Sequence, residues 1–208
     1  MNNSVTNTAR LLGAGLRALL VLTLVTGVIY PLVVTGVAQA LFSNKANGSE
    51  IKSGGKVVGS SLIGQSYNLP LKKGQQTPDP YLKWFQGRPA NGLGANSVNT
   101  QYKLLLSGAT NLSADNKDLI KQVEDAKAAV IKDNSVAGYS VKASEVPADA
   151  VTSSGSGLDP DISPAYADLQ VHRIAARNGL SVAQVDKLVK DHTEGRTLGF
   201  MGEPRVNV

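Results

Sequence analysis

From residue 18 to residue 44 the chain carries no charged residue, and residues 18–42 read ALLVLTLVTGVIYPLVVTGVAQALF. About 20 apolar residues are enough for a helix to cross a bilayer, so this stretch divides the chain before any other feature does. Beyond Lys45 the chain is rich in Gly, Ser, Asn and Lys and has the composition of a water-soluble domain. Three parts are expected: a short tail over residues 1–17, a transmembrane helix over 18–42, and a folded domain over 45–208.

Two readings compete for the apolar segment. Arg10 and Arg17, an apolar run and the triplet Ala38-Gln39-Ala40 together match a cleavable signal peptide with a small-x-small site. Against cleavage, the run exceeds the ~7–15 residues of a signal core, and Thr23, Thr26 and Gly27 suit helix packing in lipid. An uncleaved single span is the expectation. Its short tail favours a cytoplasmic N-terminus and an extracytoplasmic domain, although Lys45, Lys52 and Lys56 nearly balance Arg10 and Arg17. Pro31 cannot donate to the Gly27 carbonyl, so the helix should bend there. Such a defect is easier to keep against partner helices than against lipid alone.

The net charge of +5 is diffuse, with Lys and Arg occurring singly or as one pair, Lys72-Lys73, and few aromatics between them. No basic stripe fit to track a nucleic-acid backbone emerges, so no nucleic-acid partner is expected. Cysteine is absent, which removes disulfides, thiolate metal sites and cysteine nucleophiles.

Periodicity places the rest as a mixed α/β domain. GGKVVGSSLIGQSYNLP suggests one or two strands; LKKGQQTPDPYLKWF and FQGRPANGLGANS read as loops. Trp84-Phe85 fits local packing or an interface anchor. A first helix should follow Ser113 as N-cap, with Leu119, Val123, Ala126 and Val130 on one face. A second should start at Ser163-Pro164 and stop at Gly179. A third should open on a Ser181/Gln184 capping box and turn Val185, Leu188 and Val189 inward. The end, Arg205-Val206-Asn207-Val208, alternates like a strand.

The stretch TSSGSGLDPDISP, residues 152–164, concentrates the polar chemistry. A Walker loop needs a Lys after its glycines, and a dinucleotide fingerprint needs a third glycine; both are missing, while Asp159 and Asp161 would repel phosphate. The same acids and hydroxyls could offer oxygen ligands to a cation, but calcium-loop spacing is absent. A structural reading competes with these: a turn at Asp159-Pro160 and a helix start at Ser163-Pro164, with partner contact as a further role. His172 and His192 form no metal-binding pair, and Ser154 and Ser156 have no identifiable base. No catalytic residue and no metal ligand is assigned.

Five separated stretches occur in a fixed order: SLIGQ (61–65), GRPA (87–90), VTSSGSGLDPDISP (151–164), LQVHRIAARNGL (169–180) and RTLGFMGEPRVNV (196–208). With a single N-terminal span, they resemble the C subunit of the high-affinity potassium-transporting P-type ATPase, the Kdp system. The resemblance covers nearly the whole chain, and SGSGLDPDISP and GEPRVNV are its most specific parts. It implies a complex with a potassium-binding channel-like subunit, a P-type ATP-hydrolysing subunit and a small one-span subunit. It also implies an extracytoplasmic domain needed for assembly and activity, and a catalytic chaperone that raises the ATP affinity of the hydrolysing subunit. ATP is implied by this resemblance alone. The motif positions carried over, as family or partner positions, are Gln65, Arg88, Pro89, Gly155, Gly157, Asp159, Pro160, Gln170, Arg173, Glu203 and Arg205.

The chain lacks the DKTGT phosphorylation motif of P-type pumps and the TVGYG filter of potassium channels, so hydrolysis and selectivity fall to partners. The connection between SLIGQ and GRPA looks longer than is usual in that family. Asp159 and Arg205 are expected to act through folding or subunit contact. The competing functional readings are a secreted or membrane-anchored binding module unrelated to a pump, and an anchored hydrolase.

Overall fold

The computed structural model describes residues 2–75, 77–95 and 105–208. Contacts divide them into two compact units, Met1–Ser60 and Ser61–Val208. Gln76, Asn96 and Ser97, which the sequence assigns to loops, lie outside the described residues.

In the first unit, helix α1 (Asn2–Leu24) runs through a wide π turn (Val25–Ile29) into helix α2 (Tyr30–Ala46). None of the apolar window within Ser4–Ala46 is buried among the described residues. A helix apolar on all sides needs lipid or other helices around it. The expected defect at Pro31 takes the form of the π turn just ahead of it: the Tyr30 N–H donates to the Val25 carbonyl, five residues back. Thr26 Oγ1 donates to the Leu22 carbonyl at 2.7 Å within the same region. Phe42 leaves helical geometry (φ −138°, ψ 38°), and Asn47 closes the segment by donating its side-chain amide to the Ser43 carbonyl at 2.8 Å. Strands β1 (Glu50–Ser53) and β2 (Lys56–Ser60) then pair as an antiparallel hairpin. Its two-residue turn needs positive φ at both positions, which Gly54 and Gly55 supply at 56° and 78°.

The second unit mixes short strands and helices. Strand β3 (Gly94–Ala95) pairs with β4 (Leu105–Leu106), and helix α3 (Lys117–Asn134) comes next. Strand β5 (Asp161–Ile162) leads directly into helix α4 (Pro164–Asn178), then helix α5 (Val182–Asp191) and strands β6 (Thr193–Glu194) and β7 (Arg205–Asn207). These last strands form an antiparallel sheet in the order β5-β7-β6, which sets Ile162 opposite Val206. Helix α4 is the spine of the core. Tyr166, Ala167, Leu169, Val171, Ile174 and Ala175 are buried along it, against Val130 of α3, Val185 and Val189 of α5, and Val206 of β7. The chain is thus one long apolar N-terminal helix followed by an α/β region, as the sequence indicates.

Local signals account for the helix ends. Ser163 Oγ accepts from the Tyr166 N–H at 3.1 Å, Pro164 opens α4, and Gly179 closes it at φ 66°. The Ser181/Gln184 capping box forms in both directions. Three expectations need correction, the first being that Gly94–Ala95, inside the stretch read as loop, pairs with Leu105–Leu106 as β3. Helix α3 is capped by Asn116, whose Oδ1 accepts from Asp118 and Leu119, while the Ser113 hydroxyl donates to Asp115 at 2.6 Å. Leu188 is exposed: Val185 and Val189 define the buried stripe of α5, and Leu188 sits about 80° around the helix from its centre. Of the Trp84-Phe85 pair, Phe85 packs on the core, while exposed Trp84 meets the Tyr81 ring edge-on.

Candidate functional site

The 152–164 stretch is a loop that closes on itself. Ser154 Oγ accepts from the Gly157 N–H at 2.8 Å, Ser156 Oγ from the Leu158 N–H at 3.1 Å, and Asp159 Oδ1 from the Asp161 N–H at 3.0 Å. A phosphate cradle must leave such N–H groups free to meet the anion. Here these three are bonded within the loop and are not available to an anion. Gly157 is required by geometry: φ is 68°, and a Cβ would lie 2.8 Å from the Leu93 side chain. Gly155 faces open space.

The other motif stretches converge on this loop. From GRPA, Arg88 Nη1 pairs with Asp159 Oδ2 at 3.1 Å, and Nη2 donates to the Thr152 and Ser153 carbonyls at 3.4 Å. From SLIGQ, the Gly64 N–H donates to the Leu158 carbonyl at 2.8 Å, and a Cβ on Gly64 would lie 2.6 Å from the Asp159 carbonyl oxygen. From the C-terminal stretch, Arg205 Nε pairs with Asp161 Oδ2 at 3.0 Å, and its Nη2 reaches Glu194 at 2.6 Å. Asn207 bridges Asp161 at 2.9 Å and the Ser61 carbonyl at 3.0 Å, while the Val208 N–H donates to the Pro160 carbonyl. Both loop acids are therefore held by arginines from distant parts of the chain.

The LQVHRIAARNGL stretch enters through α4. Gln170 and Arg173 are fully buried and lie three residues apart on one helical face. Gln170 accepts from the Gln86 N–H at 2.7 Å and donates to the Gln86 carbonyl at 3.0 Å. Arg173 donates to the carbonyls of Trp84 (2.9 Å) and Leu82, to Asn134 Oδ1 (2.8 Å) and to Gln170 Oε1 (2.5 Å). Its hydrogen-bond acceptors here are all neutral, and burial pulls its pKa down to about 10. Burial also pushes the neighbouring Tyr166 up to about 12. The pair clamps residues 82–86 and so delivers Arg88, two residues on, to Asp159.

A cleft of about 410 Å³ opens beside this junction, with Gln65, Arg88, Leu93, Leu105 and Asp159 in its wall. Pro89 follows Arg88 as a half-buried residue, and Pro160 contributes its carbonyl to Val208. Glu203 stands apart, paired with Arg196 at 2.7 Å on the surface. His172 stacks on Tyr139 with ring centres 3.8 Å apart, and His192 Nδ1 lies 2.9 Å from the Leu188 carbonyl. Among the described residues no group of three His, Cys, Asp or Glu side chains could hold a metal ion. Sequence reasoning missed Asp149, which accepts from the Ser163 N–H at 2.7 Å and hydroxyl at 2.9 Å, and Asn134 beneath Arg173. Neither lies in a recognisable motif. Gly64 does lie inside a motif stretch, yet nothing in its spacing marks it as a site residue.

The whole arrangement is a structural junction in which five stretches hold one another, with ion pairs and backbone bonds as its chemistry. Residues 12–208 match the family described as KdpC, the c chain of the K+-transporting ATPase. A potassium-transporting ATPase KdpC subunit of Streptomyces avermitilis is 81% identical over 208 residues, covering 100% of this chain and 94% of that one. The corresponding subunit of Streptomyces coelicolor is 74% identical, covering 100% and 92%. That of Mycobacterium tuberculosis is 40% identical over 193 residues, covering 93% and 90%. The junction and the apolar helix both fall within the matched span, and the chain belongs to the KdpC family of potassium-transporting ATPase subunits.

Proposed function

We propose that the chain works as a non-catalytic subunit of an ATP-driven potassium uptake pump, assembled with a potassium-binding channel-like subunit, a P-type ATP-hydrolysing subunit and a small one-span subunit. It crosses the membrane once through residues 18–42, keeps residues 1–17 in the cytoplasm and holds residues 45–208 outside. It supports assembly and raises the ATP affinity of the hydrolysing subunit through contact, not through nucleotide held in its own loop. The observation that carries this reading is the family match from residue 12 to residue 208, across both the apolar helix and the folded unit. The unburied apolar helix and the loop amides bonded within their own loop support it.

Co-purification tests the reading. The tagged full chain, extracted from membranes, should bring down a potassium-stimulated ATPase, and removal of the chain should raise the ATP concentration needed for half-maximal hydrolysis. Intact mass should show residues 1–40 retained. A mature N-terminus at Leu41, with no ATPase recovered, would favour a secreted or anchored binding module instead.

A further inference from the structure

Between β6 and β7 the chain forms a tip, residues 197–202, every residue of which is exposed. Leu198 is 78% exposed, Phe200 71% and Met201 49%. Isolated apolar residues on a surface are ordinary, but three within four positions at one turn are not. The tip is also ordered by its own backbone. The Thr197 N–H donates to the Met201 carbonyl at 2.9 Å and the Met201 N–H returns to Thr197 at 3.0 Å. The Phe200 N–H reaches the Thr197 carbonyl at 3.3 Å and the Gly199 N–H the Arg196 carbonyl at 3.0 Å. Leu198 is held at φ 54°, a region that non-glycine residues avoid, and Gly199 follows at 81°. Arg196 and Glu203 pair at 2.7 Å across the base, so no charge lies between them.

We infer that this tip is a membrane-contacting element that sinks Leu198, Phe200 and Met201 into the interfacial layer of the bilayer. The inference rests on the reading of the chain as a single-span membrane subunit. Three physical points favour lipid over a protein partner. The amides of Thr197, Phe200 and Met201 are already bonded within the tip and that of Gly199 to Arg196 at its base, which lowers the backbone desolvation that opposes entry into a poorly hydrogen-bonding medium. The charged residues are confined to the base, where headgroups and water remain available. The apolar area is also small: three side chains fall well short of the about 800 Å² per partner that a standard protein interface buries. A tip tethered to a bilayer by the same chain needs no such area, because the anchor supplies a high effective concentration.

The chain has no cysteine, so single labels are clean. An environment-sensitive fluorophore is placed on Leu198→Cys, Lys142→Cys or Val21→Cys in the full chain, reconstituted into phosphatidylcholine vesicles with brominated acyl chains. The Val21 and Leu198 probes should lose roughly half their emission to bromine while the Lys142 probe keeps its own, as expected for an interfacially inserted apolar side chain. A Leu198 probe no more quenched than Lys142, with Val21 quenched, overturns the tip proposal alone. An unquenched Val21 probe overturns the single-span reading and the tip proposal with it. A Leu198 probe that shifts only when the other pump subunits are added, without bromine quenching, overturns the proposal in favour of a protein seat.

Discussion

Two glycine-bearing loops of the folded unit, residues 152–164 and 197–202, use the same means to opposite ends. Each closes through short-range hydrogen bonds, and each holds a glycine at positive φ, Gly157 at 68° and Gly199 at 81°. The first is bonded directly by three other motif stretches; the second turns three exposed apolar side chains outward. Family-motif residues thus divide by role. Arg88, Asp159, Gln170, Arg173 and Arg205 make their bonds within the folded unit, whereas the apolar side chains of the tip are exposed. Paired substitutions, one at the junction and one at the tip, put this division to the test.

The largest effect is expected at Arg173. Arg173→Ala takes their Arg173 donor from the Leu82 carbonyl and Asn134 Oδ1, leaves the Trp84 carbonyl and Gln170 Oε1 with Gln86 as donor, and opens a cavity in the core. The expected loss is about 3 kcal/mol or more, measured as a shift of the denaturant midpoint of the full chain in detergent. Arg196→Ala, at the exposed base of the tip, should leave that midpoint in place. Equal losses would mean that the tip is as integral to the fold as the junction.

Gly157→Ala and Gly199→Ala come next, because they separate conformation from packing. Both force alanine into the left-handed region, at about 1–2 kcal/mol. Only at 157 does the new Cβ also strike a neighbour, Leu93 at 2.8 Å, whereas at 199 it meets open space. Gly157→Ala should therefore cost about 2–3 kcal/mol and Gly199→Ala about 1 kcal/mol on the same denaturation scale. An equal cost at both would remove the packing argument for the junction.

Asp159→Ala should cost less, about 1–2 kcal/mol, because the Arg88–Asp159 pair keeps side-chain exposures of 26% and 29% and solvent screens part of it. A cycle with Arg88→Ala should show coupling between the two positions and none between Asp159 and Glu203. In the assembled pump the same variant should lower potassium-stimulated ATPase activity with assembly, and saturable ATP binding should be absent from the isolated full chain before and after substitution. Binding at millimolar ATP or below that vanishes in Asp159→Ala would make the loop a nucleotide site.

Features governed by near neighbours are readable in the sequence. The Ser163-Pro164 start, the Gly179 stop and the Ser181/Gln184 box involve residues three or four apart, where side-chain reach decides the outcome. Asn116 displaces Ser113 as a cap because two nearby side chains compete, and pattern alone cannot rank such rivals. Leu188 departs from its expected place because a heptad-like apolar set fits more than one rotation of a ten-residue helix. The junction is legible only as a set of motif residues. That Arg88 meets Asp159, Arg205 meets Asp161 and Arg173 holds residues 82–86 depends on chain reversals across many tens of residues, which no local spacing encodes. Within their own stretch the two loop acids read as groups that would repel phosphate; their arginine partners come from elsewhere in the chain and cannot be seen from the stretch itself.

The smallest effect on stability, and the sharpest contrast, is expected from the double variant Leu198→Ser/Phe200→Ser. Both side chains are exposed, at 78% and 71%, so the folded state loses almost no packing when they go. The denaturant midpoint should move by less than about 0.5 kcal/mol, the usual range for surface substitutions. The tip's backbone bonds do not involve these side chains, so its shape should survive as well. What should change is membrane contact: a fluorophore on Met201→Cys, quenched by brominated lipid in the otherwise native chain, should lose that quenching in the double variant while a Val21 probe keeps it. If stability falls as far as it does for Gly157→Ala, the tip is packed on a surface that solvent exposure does not reveal, and the division between a junction that holds the fold and a free tip fails.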